Sequence, residues 1–313
     1  MSNPDKVTDA VLSKPLLPKN RDSAPLGRLG LTLLGLVACF SLPLYELLGV
    51  ALKSDLYSHI VLVPFISAYL IWTKKSQLPA FSAPDHKTAA VFLGLAFLAL
   101  ASSFGFILTQ NPIAPGDSLP FKILAFLFFL SASCAWFLGR NTLRALAFPL
   151  AFLVFMVPFP DAVRNGLETF LQYGSAYMAH IMFKIAGTTV FYDDLLFRLP
   201  GINLEVAPEC SGIRSSLALF ITSVVAGHFF LRSPWKCALL TLAVIPLAII
   251  RNGFRIFTIG ELCVHISPDM IHSYIHRHGG PIFFALSLIP FLLLLRFLYK
   301  SEQPGKPSNL NVP

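Results

Sequence analysis

The chain has 313 residues, of which 55% are hydrophobic and 13% charged, and its mean hydropathy is +0.68. A soluble domain carries about a quarter charged residues, so the composition excludes a water-soluble globular protein and requires most of the chain to lie in a bilayer. The net charge of +8 is therefore read first as a topology signal. No basic run interleaved with aromatics stands in a polar segment, and no nucleic-acid partner is expected.

In chain order, residues 1–29 are rich in Pro, Ser, Asn and Lys and are expected to be a disordered cytoplasmic tail. A bilayer core takes about 20 mostly apolar residues per helix. Apolar runs near 30–52, 57–73, 88–109, 119–138, 143–159, 212–231, 235–257 and 281–299 satisfy that requirement. The first run follows a long polar tail and no small-residue cleavage site follows it, so it is expected to be a retained span, not a signal peptide. The runs at 57–73 and 143–159 are short enough to be tilted or partly re-entrant. Between the fifth and sixth runs, residues 162–187 mix apolar and polar residues evenly and predict an interfacial or re-entrant helix. The following TTVFYDDLLFRLPGINLEVAP predicts a small hairpin. Residues 301–313 are expected to be a second disordered cytoplasmic tail. The expectation is an all-α polytopic bundle of about eight transmembrane helices, with one catalytic membrane domain over residues 30–300.

The basic residues order these spans. Lys6, Lys14, Lys19, Arg21 and Arg28, then Lys74, Lys75 and Lys87, Arg140 and Arg144, Arg232 and Lys236, and Arg296, Lys300 and Lys306 all fall on one side of an eight-span chain. The excess of Lys and Arg marks the cytoplasmic side. Both termini are then cytoplasmic, and segments 160–211 and 258–280 are outside.

Polar residues stand out against this apolar background. Of the five cysteines, Cys39, Cys134, Cys237 and Cys263 lie in apolar runs, where a thiol is ordinarily a small core group. Cys210 instead sits in VAPECSGIRSS, at the outer mouth of the sixth run. Arg251, Asn252 and Arg255 end the seventh run, and His272, His276 and His278 precede the eighth. Adjacent helices joined by short links pack together, which would bring a thiol, a guanidinium and an imidazole to one depth. A thiolate is a nucleophile whose pKa falls at a helix N-terminus or beside a cation. With Pro208 at the first helical position, Cys210 is expected in the first turn of the sixth span. A histidine can move the proton, and an arginine can hold a carbonyl or an oxyanion. Each residue also has a plainer reading. A cysteine at a helix start is ordinarily structural, Arg251 and Arg255 could snorkel, and the histidines could anchor the interface. Arg214 could pair with Glu209 or Glu205. Charges inside a membrane domain are nonetheless functional candidates by default.

Several stretches together resemble the exosortase/archaeosortase family, over roughly residues 50–290: YSHIVLVPFISAYLIW (57–72), FPLAFLVFMVPFP (148–160), VAPECSGIRSS and Asn252-Gly253-Phe254-Arg255, with a final His-x-x-x-Gly that His276 and Gly280 fit. The resemblance implies a membrane cysteine transpeptidase or thiol protease of a prokaryotic cytoplasmic (inner) membrane, with its site on the outer face. Its substrates would be secreted proteins carrying a C-terminal sorting signal, which is a short motif such as Pro-Glu-Pro, a transmembrane helix and a basic tail. Cys210 would be the nucleophile and Arg255 the family arginine. His276 would be the base and then the acid, with His278 kept open as the alternative. Arg251, Asn252, Arg214 and Glu209 would be supporting residues. No metal or organic cofactor is implied.

Three other classes compete. A transporter or channel would place ionisable groups near the bilayer centre and show repeated halves, and no clear repeat is present. An envelope glycan polymerase or ligase would use outer-face Arg and His without needing Cys210. A noncatalytic assembly scaffold would tolerate loss of all three residues.

Overall fold

A computed structural model describes residues 24–79, 82–108, 115–272 and 279–303. Its helices are α1 (Ala24–Cys39), α2 (Ser41–Lys53), α3 (Val63–Lys74), α4 (His86–Leu108), α5 (Leu119–Ala145), α6 (Ala147–Phe152), α7 (Asp161–Ala186), α8 (Ile213–Phe230), α9 (Pro234–Leu242), α10 (Val244–His265) and α11 (Gly280–Lys300). Strands β1 (Phe191–Asp193), β2 (Leu196–Leu199) and β3 (Ile202–Glu205) lie between α7 and α8. Among the described residues, six helical segments are long and apolar enough to cross a membrane, or up to eight if each of two bent pairs is one span. The protein is thus a multi-pass helical membrane protein, as its composition required.

The interruptions follow the prolines. A helix-interior proline lacks the N–H for the bond to residue i−4, and its ring clashes with that carbonyl. α1 ends at Cys39, four residues before Pro43, and α1 and α2 bend by 69° there. α5 ends at Ala145, four before Pro149, and α9 ends at Leu242, four before Pro246. Pro290 is the exception, carried within α11.

These breaks bear on the fifth run, which was short enough to be partly re-entrant. Residues 143–159 do not form one helix. Gly139 takes φ 74° inside α5 and closes the apolar run where the 119–138 reading ended it. A Cβ at Gly139 would lie 2.3 Å from Ser82 Oγ and 2.6 Å from the Ala83 carbonyl oxygen. The chain then makes the short α6 and a 3-10 turn (Leu153–Met156) before turning by 87° into α7, a broken span or a re-entrant loop. The seventh run also differs. Its helical segment extends over Pro234–His265, 32 residues or about 48 Å at 1.5 Å per residue. It continues well past Phe257, where the run was expected to end.

The described parts of the chain form two compact units, Met1–Gly49 with Ile60–Val157, and Val50–His59 with Pro158–Pro313. In the first unit, α4 and α5 pack through rings such as Phe97 and Phe129, whose centroids are 5.5 Å apart. Leu29 of α1 is buried against Cys134, Leu138 and Leu146. Apolar side chains also face outward, among them Leu31, Leu34, Phe65 and Trp72. That is the outer surface a bilayer accepts.

In the second unit, Leu219, Leu240, Val244, Phe291 and Leu295 join α8, α9, α10 and α11 in one core. A separate core joins α7 and α10 to the sheet, which is an antiparallel meander in the order β1-β2-β3. The sequence predicted one hairpin here, and the structure has two, each with a two-residue loop. Asp194, at φ 52°, stands in the first loop. Pro200-Gly201, with Gly201 at φ 83°, forms the second and fits a type II turn. Phe197 pairs with Leu204 and Leu199 with Ile202, so these four side chains share one sheet face. That face packs on Ala176, Ala179 and Phe183 of α7 and on Ile256, Ile259 and Cys263 of α10.

α7 and α10 meet closely because glycines line their contact. A Cβ at Gly253 would lie 2.8 Å from Met178 Cβ and 3.1 Å from the Ser175 carbonyl oxygen. One at Gly260 would lie 2.5 Å from Phe183 Cζ. A larger residue at either point would force Met178 or Phe183 to shift.

Candidate active site

Strand β3 leads directly into the segment that carries Cys210. Val206 follows the strand, its N–H donating to the Leu195 carbonyl at 2.9 Å. Its own carbonyl accepts the buried Gln172 side chain of α7. Pro208, Glu209 and Cys210 then form a single 3-10 turn, with Pro208 in its first positions, where a missing N–H removes no bond. The Cys210 N–H donates to the Ala207 carbonyl at 2.8 Å, and the Ser211 N–H to the Pro208 carbonyl at 3.0 Å.

Gly212 separates this turn from α8. It adopts φ 75°, ψ 14°, the left-handed region, which glycine enters without steric penalty. α8 begins only at Ile213. Cys210 therefore does not lie in the first turn of the sixth span, as the sequence suggested, but in its own turn ahead of that helix. The Cys210 side chain is half-buried.

α10 holds the turn from one side. Asn252 is 2% exposed, and its Nδ2 donates to the Cys210 carbonyl at 2.7 Å. Arg251 is 7% exposed, and its Nη2 donates to the Gly212 carbonyl and to Ser216 Oγ, both at 3.2 Å. Arg255 lies on the same helix, three residues beyond Asn252. It lines a small cleft together with Cys210, Asn252, Glu205 and the apolar Ile256 and Ile259. The cavity volume of the cleft is about 20 Å³, room for about one water-sized group.

The other sequence-derived candidates fall as follows. Arg214 pairs with Asp55, in the short 3-10 turn (Asp55–Val61) before α3, and not with Glu205. Both partners of that pair are exposed, at 58% and 87%. His59, in the YSHIVLVPFISAYLIW stretch but not singled out there, lies in the same 3-10 turn, its Nδ1 at 3.1 Å from the Leu56 carbonyl oxygen. His272 ends a 3-10 turn (Pro268–His272) that follows α10. His276 and His278 lie outside the described residues. Glu209 lies in the Cys210 turn and is placed by its backbone. Among the described residues, no group of three or more His, Cys, Asp or Glu side chains could hold a metal ion.

Two features of the site escaped the sequence reading. Gln172, 7% exposed, anchors the end of β3 from a helix 34 residues upstream. Glu205 lines the cleft and was considered only as an ion-pair partner. No spacing rule connects either residue to Cys210. Gly212 did carry a signal, as a glycine immediately before a long apolar run, where a break in the helix is expected.

A model described as transmembrane exosortase matches residues 51–293. No curated protein and no solved structure matches the chain. The matched stretch covers well over half of the sequence and includes every residue that lines the cleft, and the chain accordingly belongs to the transmembrane exosortase family.

Proposed function

We propose that the protein is a membrane-embedded cysteine transpeptidase or thiol peptidase that cleaves the C-terminal sorting signal of secreted proteins through a thioester on Cys210. The observation that carries this reading is the single cleft lined by Cys210, Asn252 and Arg255 in a chain of the exosortase family. A thiol-bearing and a guanidinium-bearing residue thus line one small space. The transporter, glycan ligase and scaffold readings have no use for a thiol in that place.

The chemistry proceeds in two steps. His276, or its neighbour His278, takes the thiol proton, and the Cys210 thiolate attacks the scissile carbonyl carbon. The C–S bond forms and the carbonyl oxygen takes the negative charge. The N–H groups of Cys210 and Ser211 are already donated within their own turn. Stabilisation of the oxyanion therefore falls to the guanidinium of Arg255. Collapse breaks the C–N bond, and the amine leaves with the proton that the histidine returns. An acceptor amine or water then attacks the thioester, giving up a proton as the Cys210 thiol is restored.

The distribution of Lys and Arg supports an outward-facing site with both termini in the cytoplasm. A substrate helix crossing beside the protein would present its motif at that surface, and its basic tail would remain inside. Residues 30–300 act in this reading as one catalytic membrane domain.

The test replaces Cys210 by Ala and by Ser and follows processing of a co-expressed protein bearing such a signal, with the membrane level of each variant measured. Both variants are expected to accumulate and to leave the substrate full length. Processing at the wild-type rate by either variant would refute the thioester mechanism.

A further inference from the structure

We propose that Asn252 and Arg251 are positioning residues, which together grip the backbone carbonyls on either side of Ser211 and so fix the place at which Cys210 presents its thiol to the cleft. This proposal rests on the transpeptidase reading above.

The two side chains are neighbours on α10 and reach the same short segment. Asn252 Nδ2 donates to the Cys210 carbonyl at 2.7 Å, and Arg251 Nη2 donates to the Gly212 carbonyl at 3.2 Å. The Gly212 carbonyl is held further by the Ser216 N–H at 3.0 Å and by Ser216 Oγ at 2.8 Å, the same hydroxyl that accepts from Arg251. The segment is pressed against the pair. A Cβ at Gly212 would lie 3.0 Å from the Asn252 side chain and 3.1 Å from Arg251 Nη2.

A helix-packing role alone does not require these residues. An amide and a guanidinium, each more than nine-tenths buried, are costly in a membrane helix, and apolar side chains would join α8 to α10 without that cost. The polar pair does what apolar side chains cannot, which is to hold chosen carbonyl groups in a fixed direction. Two bonds within the Cys210 turn are local, from Cys210 to Ala207 and from Ser211 to Pro208. They define the shape of the turn and not its position. α10, the helix that also carries Arg255 one turn further on, fixes the position of the Cys210 and Gly212 carbonyls, while Gln172 of α7 holds the Val206 carbonyl ahead of them. Asn252 therefore sets the nucleophile against the arginine from within a single rigid element. Gly253 completes the arrangement, because its missing side chain lets α7 press on α10 at the level of the grip.

The test uses the full chain in proteoliposomes and a fluorogenic peptide spanning the cleaved motif of a sorting-signal protein. Asn252→Asp keeps the shape of the side chain and removes the donor, and Asn252→Ala removes both. Arg251→Met keeps the stem without donors, and Arg251→Lys returns one charged donor. Rates are taken per folded molecule, with thermal unfolding measured in parallel. A misplacement of about 1 Å costs a reaction about 100-fold. The expected result is a loss of that order in kcat for both Asn252 variants, with KM within about threefold of wild type, as for an interaction that acts on the transition state. Arg251→Lys should recover most of the kcat that Arg251→Met loses.

The proposal is overturned if kcat per folded molecule in Asn252→Asp stays within about threefold of wild type, or if the variants lose thermal stability while KM and kcat hold. If Asn252→Ala does not accumulate, the isosteric Asp variant and the Arg251 pair decide the matter. The Cys210→Ala control separates the two claims. If it still cleaves the peptide, the transpeptidase reading fails and the grip loses its object. If it is inactive while Asn252→Asp is active, only the grip fails.

Discussion

The α4–α5 and α7–α10 contacts are built in opposite ways. α4 and α5 meet through large rings, with Phe92 near Phe128, Phe97 near Phe129, and His86 edge-on to Trp136 at 4.4 Å. α7 and α10 meet where glycines of α10 receive larger side chains of α7, Gly253 against Met178 and the Ser175 carbonyl and Gly260 against the Phe183 ring, which also packs edge-on to Phe257 at 5.2 Å. Rings fill space and can be exchanged for other apolar groups, since total volume matters more than shape. A glycine pressed against a neighbour is harder to exchange, because an added Cβ at Gly253 or Gly260 would lie within 3.0 Å of a side-chain atom and force a shift. The first contact holds two helices together. The second also sets the depth of Arg251, Asn252 and Arg255 against the Cys210 turn.

This contrast can be broken at several points. The largest effect is expected for Gly253→Ala, whose Cβ would fall 2.8 Å from Met178 Cβ and 3.1 Å from a backbone oxygen. Overpacking of this kind costs about 1–3 kcal/mol, and thermal unfolding in detergent should show it together with a sharp fall in processing. Next comes Gly212→Ala. A left-handed non-glycine residue costs about 1–2 kcal/mol, and the added methyl crowds both gripping side chains, so substrate processing should fall more than stability does.

Phe129→Leu in the ring-filled contact gives up ring contacts to Phe97 and Phe40, should cost about 1–2 kcal/mol, and should leave processing unchanged. If Phe129→Leu and Gly253→Ala prove equally harmful, the two contacts are alike and the distinction fails. The smallest effect is expected for Arg214→Ala. Its pair with Asp55 is exposed on both sides, and such pairs contribute about 0.2–1 kcal/mol, less in high salt. A loss of processing in Arg214→Ala that exceeds its loss of stability would place that arginine in the site after all.

Much of the fold was legible in the sequence because a bilayer imposes long apolar runs, and those runs mark helices whatever their neighbours do. The errors have physical causes that were present in the sequence. Averaged hydropathy joined residues 143–159 into one run, although Pro149 disfavours a continuous helix back through Ala145. The same averaging hid the break at Leu242 before Pro246. The extension of α10 to His265 was missed because its last turns are polar on one side and bury Ile259 and Cys263 against a sheet. Hydropathy cannot tell that pattern from a loop.

The candidate site was legible as a set of residue types. Cys210 and Arg255 were singled out by polarity against an apolar background and by the resemblance, and the structure brings both to one cleft. The placement of Cys210 ahead of α8 was not legible. It depends on a left-handed Gly212 held by Arg251, a contact across 39 residues. Arg214 illustrates the same limit, because its partner Asp55 is 159 residues away and no local spacing points to it.

The sequence by itself determined that this is a multi-pass membrane protein, where most of its helices lie, and that a thiol and two arginines stand out from the apolar runs. These are consequences of solvent, since lipid accepts apolar side chains and penalises charge wherever the helices pack. Only the tertiary structure decided that Asn252 faces the Cys210 carbonyl, that Arg255 and Cys210 line the same cleft, and that Gly253 and Gly260 let two helices touch. Those outcomes depend on short distances between residues far apart in the chain, and they are fixed by the packing of complementary shapes.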